Sequence, residues 1–207
     1  QTMVNMMIFA PSPDMLHPLR KMAEELATPE VHIDVIHRFG TPEEVFRQLR
    51  RYDVIVARGI TYRKICDMYP DKHITQLIYD GLDVLEALCQ CRNTYHPHRV
   101  GLCQDRDQIQ DLVPAMEEFC GAEIHIYDVT DEESALRAVE RAQLDGVDAM
   151  VSGGTVMNLC RERGIPCTDI HLRLETLQRA LFEALKAARS INTERTRSNI
   201  IRMILDN

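Results

Sequence analysis

Two glycine turns of similar sequence hold the residues best suited to bind an anion. The first is Arg58-Gly59-Ile60-Thr61, and the second is Gly153-Gly154-Thr155. An arginine offers a fork of N–H donors that matches a carboxylate or a phosphate. Threonine hydroxyls and glycine N–H groups at the start of a helix add further donors. The alternative interpretation is that the glycines only allow the turn and the threonines only cap helices.

The other candidate ligand-binding residues follow short apolar runs of the sequence. In a parallel α/β sheet, ligands bind beyond the carboxyl ends of the strands, so these positions should line one site. Arg173 would present a second guanidinium there. We predict a small-molecule site, with no catalytic residue, formed by Ser12, Arg58, Gly59, Thr61, Tyr79, Asp83, Gln104, Gly153, Gly154, Thr155 and Arg173.

The two turns belong to a longer unit that occurs twice. Asp53–Gly59 leads through a helical stretch to the apolar run Ile74–Ile78. After about 95 residues the order returns, as Asp148–Gly154 leads through a helical stretch to Thr168–Leu172. A duplicated unit of strand, glycine turn, helix and strand predicts two similar α/β lobes that face each other across a cleft.

Short apolar runs alternate with segments of helical period, which predicts Rossmann-like lobes with mainly parallel sheets. Helix starts are indicated at Thr41-Pro42-Glu43-Glu44 and at Thr130-Asp131-Glu132-Glu133, where a capping hydroxyl precedes acidic residues. The predicted strands are Met7–Ala10, His32–His37, Val54–Ala57, Ile74–Ile78, Val100–Cys103, Glu123–Tyr127, Ala149–Ser152 and Thr168–Leu172.

The expected organisation is a first lobe of residues 1–92, a second of residues 93–173, and a C-terminal helix within residues 174–207. The helix is predicted to run from Leu174 to Leu205, since apolar residues follow heptad spacing and then restart as a stripe from Ile200. A helix of that length usually connects a domain to another part of the protein. The stripe also predicts a homodimer through this helix.

The composition excludes several classes of protein. The 207 residues are 45% hydrophobic and 27% charged, as in ordinary globular domains. A formal net charge of −8 argues against binding to nucleic acid, because that binding requires a basic surface. No apolar run is long enough to span a membrane, so a cytoplasmic location is expected.

No cofactor or metal is expected. The seven cysteines form no Cys-x-x-Cys pair, and most lie in apolar periodic segments, where a reduced thiol packs as a small hydrophobe. His96-Pro97-His98 has the spacing of half a metal site, but no acid or cysteine completes it.

An ordered set of segments resembles one known family. The segments are Arg58-Gly59-Ile60-Thr61 after Asp53, the loop from Tyr79 to Asp83, Arg99-Val100-Gly101-Leu102, Tyr127 followed by Glu132-Glu133, Gly146–Gly154, and the helix from Glu175 to Leu181. Together they resemble the N-terminal sensor domain of propionate catabolism activators of the PrpR type, which are sigma-54-dependent transcriptional regulators. Ile60 and Leu82 depart from the family pattern, where glycine and an aromatic residue are common.

The resemblance implies a two-lobed sensor like a periplasmic binding protein, with a small metabolite such as 2-methylcitrate in the interlobe cleft. It also implies that the terminal helix leads to an ATPase module and a helix-turn-helix, through which the full-length protein would bind DNA and sigma-54 polymerase. This sequence has no Gly-x-x-x-x-Gly-Lys-Ser/Thr loop, so ATP binding is not expected of it.

Two other functions compete with sensing. Aspartate/glutamate racemases also have two repeated α/β lobes, with one catalytic cysteine in each, and Cys66 and Cys160 lie at nearly equivalent positions of the repeat. Both cysteines fall inside predicted helices, whereas a reactive thiol belongs at the helix start, where its pKa is lowered. We therefore expect no enzyme activity. The third possibility is a dimerisation domain with a vestigial cleft.

Overall fold

Eight strands form two parallel sheets in residues 3–37 and 43–207, which the computed structural model describes. The first sheet has the order β2-β1-β3-β4, and its strands are β1 (Val4–Phe9), β2 (Val31–Ile36), β3 (Val54–Ala57) and β4 (His73–Gln76). The second has the order β6-β5-β7-β8, and its strands are β5 (Arg99–Cys103), β6 (Glu123–Tyr127), β7 (Ala149–Ser152) and β8 (Cys167–Asp169). The predicted fold, α/β with parallel sheets, is confirmed.

Helices connect the strands in chain order. They are α1 (Leu16–Leu26), α2 (Glu43–Gln48), α3 (Gly59–Met68), α4 (Gly81–Tyr95), α5 (Arg106–Ile109), α6 (Val113–Cys120), α7 (Glu132–Leu144), α8 (Gly154–Arg163) and α9 (Leu174–Leu205). The long C-terminal helix begins and ends at the predicted residues. The predicted helix start at Thr41 and Pro42 lies outside the described residues.

The strands and helices divide into two compact units. Unit 1 contains the chain up to Ile78 and again from Leu177 onward, and unit 2 contains Tyr79–Thr176. These bounds differ from the predicted lobes, because α4 packs against β7, β8 and α6 of unit 2. Most of α9 belongs to unit 1, although its first turn belongs to unit 2.

The two units repeat the same hydrogen bonds at the start of their sheets. Asp53 precedes β3, its N–H donates to the Asn5 carbonyl, and its carboxylate accepts the Asn5 N–H at 2.9 Å. Asp148 precedes β7, its N–H donates to the Arg99 carbonyl, and its carboxylate accepts the N–H groups of His98 and Arg99. The duplication seen in the sequence therefore extends to the roles of individual side chains.

The fourth strand of each unit is shorter than the apolar run that predicted it. Pairing in β4 ends at Gln76, and pairing in β8 ends at Asp169. The chain beyond keeps one more bond to the neighbouring strand, from Leu77 N–H to the Ala57 carbonyl and from Ile170 N–H to the Ser152 carbonyl. Leu77 and Ile170 are buried, so the run of buried apolar residues continues after each strand has ended.

The centre of the second sheet requires a residue without a side chain. Gly101 lies in β5 opposite Met150 of β7. A Cβ atom at Gly101 would lie 2.5 Å from the Met150 sulfur and 3.2 Å from Cε2 of Tyr127. Both neighbours are buried, and the Tyr127 hydroxyl is held by the Asp145 carboxylate at 2.7 Å. Glycine therefore allows these two side chains to fill the space over β5.

Gly101→Ala is expected to lower the free energy of unfolding by about 1 to 3 kcal/mol, the usual cost of overpacking a core. Urea denaturation measures this cost for Gly101→Ala, for Met150→Ala and for the double variant. Because Met150→Ala removes the atoms that clash, the double variant should be more stable than the sum of the two single costs predicts. Strictly additive costs would contradict the steric account.

Candidate functional site

The turn after β3 begins helix α3 without a side-chain cap. Arg58 is the N-cap residue, and its side chain makes no capping hydrogen bond. Gly59 has a φ of 56°, in the left-handed region that favours glycine, and no atom lies within 4 Å of the place where its Cβ would be. Thr61 follows in the first turn. The backbone N–H donors at the start of α3 and the guanidinium of Arg58 thus belong to the same turn.

The turn after β7 repeats this arrangement in unit 2. Gly153, which has no side chain to act as a cap, is the N-cap residue of α8, and Gly154 and Thr155 begin the helix. In contrast, α4 and α7 are capped by the carboxylates of Asp80 and Asp131. The N-cap residues of α3 and α8 therefore bring no carboxylate to the partial positive charge of these helix N-termini.

Two more predicted residues follow the neighbouring strand of each sheet. Ser12 follows β1 and precedes a single 3₁₀ turn, Pro13–Met15. Gln104 follows β5 and is half-buried. Because β1 pairs with β3 and β5 pairs with β7 in parallel, Ser12 follows the same sheet end as Arg58, and Gln104 follows the same sheet end as Gly153. Within each unit, the predicted residues gather at one end of the sheet.

Asp83 is buried, with 1% of its surface exposed, and it is surrounded by donors of the protein. Its carboxylate accepts the Asp80 N–H at 2.9 Å, the Arg173 N–H at 3.0 Å and the Thr176 hydroxyl at 2.9 Å. The first contact completes a capping box at the start of α4. These bonds give Asp83 a structural role in unit 2: it ties the start of α4 to the start of α9.

The Arg173 side chain is near two acids of unit 2. Its guanidinium lies 3.7 Å from the Asp80 carboxylate and 3.5 Å from that of Glu175. Burial alone would raise the pKa of Asp80, but the Asp83 N–H, the Arg173 charge and the Thr176 hydroxyl hold that pKa below its usual value. Tyr79, which precedes this cluster, is buried. An anion that recruits Arg173 would therefore compete with Asp80.

Thr176 was not among the predicted site residues. Its hydroxyl contacts both aspartates, at 2.9 Å from Asp83 and 3.3 Å from Asp80. The Asp80-x-x-Asp83 spacing of a capping box was a signal for the first half of this cluster. No local pattern connects it to a residue about ninety positions later in the chain.

Neither Cys66 nor Cys160 lies at the start of its helix, where a racemase-like thiol would be expected. Cys160 lies inside α8, is fully buried, and packs in the hydrophobic core of unit 2 with Cys103 and Cys167. Burial raises the pKa of the Cys103 thiol to about 12. Cys66 lies in the second half of α3 and is half-buried. In residues 3–37 and 43–207, no group of three His, Cys, Asp or Glu side chains is placed to hold a metal ion.

Two parallel sheets of identical strand order, each with an uncapped glycine turn after its third strand, define a duplicated α/β domain. The chain belongs to the propionate catabolism activator family, PrpR_N, whose model matches residues 41–194. This family is one of regulators. No curated protein matches the chain by sequence.

A solved structure shows the same fold. An NtrC family transcriptional regulator from Clostridium acetobutylicum is similar with a TM-score of 0.74 and 16% identity, over 92% of this chain and 99% of that one. An extracellular ligand-binding receptor from Rhodopseudomonas palustris HaA2 has a TM-score of 0.38 and 14% identity, over 82% of this chain and 61% of that one. An aspartate racemase from Picrophilus torridus has a TM-score of 0.31 and 12% identity, over 91% and 94%.

The likeness to the receptor and to the racemase is too low to support an argument about function. The sequence predictions of the family and of a transcriptional regulator are confirmed. No described helix is both long and apolar enough to cross a membrane.

Proposed function

We propose that this domain senses a small carboxylate metabolite and controls an output module attached beyond α9. The observation that carries the proposal is the uncapped glycine turn found at equivalent places in both units. In the full-length regulator, the output module would bind DNA and sigma-54 polymerase, and the protein would act in the cytoplasm. The domain itself would catalyse no reaction and need no cofactor.

A carboxylate suits these turns for electrostatic reasons. The first-turn N–H groups of α3 and α8 point along helix axes whose N-termini carry a partial positive charge. Arg58 and the hydroxyls of Thr61 and Thr155 add donors at the same helix starts. Charge-assisted hydrogen bonds of this kind are about twice as strong as neutral ones. A phosphate would satisfy the same donors, so both ions belong in the first binding test.

Arg173 offers a route from ligand binding to the output helix. Its guanidinium is paired with Asp80, and Asp80 and Asp83 together hold Thr176 in the first turn of α9. A ligand carboxylate that draws Arg173 away from Asp80 would change the contacts of that turn. Binding shifts such an equilibrium only when the ligand has different affinities for the two arrangements.

A thermal-shift screen against di- and tricarboxylic acids, with 2-methylcitrate and inorganic phosphate in the panel, tests ligand binding. An acid present at about one hundred times its Kd adds about 2.7 kcal/mol of stability, which raises the Tm of a chain this size by about 5 to 10 °C. The matched control is the methyl ester of the same acid at equal ionic strength, which should cause no shift. A panel in which no acid raises the Tm would contradict the proposal.

The C-terminal end of α9 is the proposed homodimer contact. Ile200, Ile201, Ile204 and Leu205 are exposed, which is unusual for four large apolar residues within six positions. Dimerisation through this stripe would join two output modules. Ile204→Glu should then reduce the mass measured by sedimentation, with no loss of ligand binding.

A further inference from the structure

The outer edge of β2 is an open strand edge in unit 1. β2 is the terminal strand of its sheet, and it pairs with β1 along Val31–Ile36. The Glu30 and Ile36 carbonyls accept bonds from the β1 side, at the N–H groups of Val4 and Ala10. Since alternate residues of a parallel strand direct both backbone groups to the same side, Val31, Ile33 and Val35 direct theirs outward.

Two local contacts cover the ends of this edge and leave its middle open. The Val31 N–H donates to the Thr28 carbonyl at 3.2 Å, and the Val35 carbonyl accepts a bond from Arg20 at 3.4 Å. In the described ranges, no strand pairs with Ile33 on this outer side. A hollow of about 430 Å³ lies beside the edge, lined by residues of β2, by Arg20 and Ala23 of α1, and by Ala27 just after that helix. The middle of the edge, at Ile33, is therefore open to a partner strand.

The sequence of β2 is complementary to itself when read in the opposite direction. In an antiparallel pair centred on Ile33, Val31 of one strand lies opposite Val35 of the other, and His32 lies opposite Asp34. The apolar positions are all β-branched, which favours cross-strand packing. The two copies of His32 and Asp34 would form two equivalent pairs of a base with an acid.

The hydrogen-bond pattern supports this register. Because Ile33 directs its N–H and carbonyl outward, the two central isoleucines would exchange both bonds. His32 and Asp34 then fall in the non-hydrogen-bonded positions, where opposite side chains approach most closely. Both side chains are accessible, with 51% and 39% exposed, and within one strand they already lie on the same face, 3.0 Å apart. The side chains of His32 and Asp34 therefore lie on one face, where both can contact a partner strand.

We propose that two copies of this domain associate by antiparallel pairing of their β2 strands about Ile33, which joins two four-stranded sheets. The occupant of the edge is a second copy because the residues that meet there are complementary only in the two-fold arrangement. This interface is separate from the predicted ligand site, whereas the Glu30 end of β2 lies near the apolar stripe of α9, since Glu30 and Ile200 line one hollow. The interface would stand even if the proposed carboxylate ligand were wrong.

A charge exchange between two variants tests the pairing. His32→Asp makes both positions acidic, and His32→Lys with Asp34→Lys makes both basic. Each variant alone places like charges opposite each other, so its dimer should be weaker than the wild-type dimer by about tenfold or more. An equimolar mixture should recover association as acidic–basic heterodimers, because each acid then meets a lysine. Native mass spectrometry separates the two chains by mass.

Replacing Asp34 also removes a hydrogen bond within the domain, because Asp34 accepts one from the Tyr52 hydroxyl. A second variant therefore leaves Asp34 in place. Ile33→Pro removes an outward N–H and shortens a half-buried side chain at an edge position, so it should keep the fold. Made in the Ile204→Glu chain, which lacks the α9 contact, it should abolish the dimer. Circular dichroism and the Tm show that each variant is folded. A monomeric wild-type chain at about 100 µM, far above the Kd of a stable homodimer, would overturn the proposal. So would a dimer that Ile204→Glu abolishes and Ile33→Pro leaves intact, or a mixture without heterodimers.

Discussion

Asp83→Ala is expected to lower the free energy of unfolding by about 3 to 5 kcal/mol, because three donors in a buried place lose the acceptor that they share. Those donors are the N–H groups of Asp80 and Arg173 and the hydroxyl of Thr176, each 2.9 to 3.0 Å from the carboxylate. No water can replace an acceptor that is 1% exposed without opening the starts of α4 and α9. Urea denaturation followed by circular dichroism measures the loss.

A neighbouring acid supplies the control for Asp83. Glu86 lies one turn further along α4 and is exposed, so Glu86→Ala removes the same charge without breaking the cluster. Its effect should stay within about 0.5 kcal/mol. Thr176→Val keeps the volume and removes one donor, so it should cost about 1 kcal/mol, the worth of one hydrogen bond. An Asp83→Ala chain as stable as the Glu86→Ala chain would contradict the structural role of Asp83.

Asp53→Ala should cause the second largest loss, about 2 to 3 kcal/mol, through the hydrogen bonds of a partly buried carboxylate. Asp53 accepts the Asn5 N–H, and its two oxygens face the Arg195 guanidinium of α9 at 2.5 and 3.3 Å. The arginine is 39% exposed, so solvent weakens the ionic part, and we expect about 1 kcal/mol of coupling in a double-mutant cycle with Arg195→Ala.

The repeat provides a matched comparison for Asp53. Asp148 makes the equivalent bonds in unit 2, where its carboxylate accepts the N–H groups of His98 and Arg99. Asp148→Ala should therefore lower stability without showing any coupling to Arg195→Ala. Equal coupling energies of Arg195 with Asp53 and with Asp148 would contradict a direct contact between Arg195 and Asp53.

Asp53 also gives the stability a dependence on acid. Burial raises the pKa of the Asp53 carboxyl, but the contacts with Arg195 and the Asn5 N–H lower it by a larger amount. The folded pKa therefore lies below the usual value. The stabilisation is complete at pH values above the unfolded pKa of about 3.9 and is lost as the pH falls through the folded pKa. Asp53→Asn should flatten the stability curve below about pH 5.

The duplicated unit explains why so much of the fold was predictable. Hydrophobic period and the two Asp-to-glycine segments predicted every described strand, and heptad spacing predicted both ends of α9. Strand ends were less accurate, because Leu77 and Ile170 stay buried after pairing stops. The periodicity of apolar residues indicates which positions are buried, and buried positions continue past the last hydrogen bond between the strands.

Contacts between distant segments were not predictable from local patterns. The capping box of α7 joins Asp131 to Ser134, one position later than the predicted Thr130 start, since several capping residues follow one another there. Arg195 reaches Asp53 across 142 positions, and only the folded unit brings them together. Likewise, the sequence suggested Asp83 as a ligand-binding residue, but its burial became visible only in the structure. Its ligand-binding role stays a prediction.

Calorimetric titration of the most stabilising carboxylic acid into the wild type and into Arg58→Ala shows whether Arg58 holds the ligand. If Arg58 and the α3 turn hold the ligand carboxylate, Arg58→Ala should weaken the affinity by about ten- to a hundredfold, the loss of one charge-assisted contact. Arg63→Ala, on the exposed side of the same helix, should leave the affinity unchanged. Equal affinities of the wild type and Arg58→Ala would contradict the account.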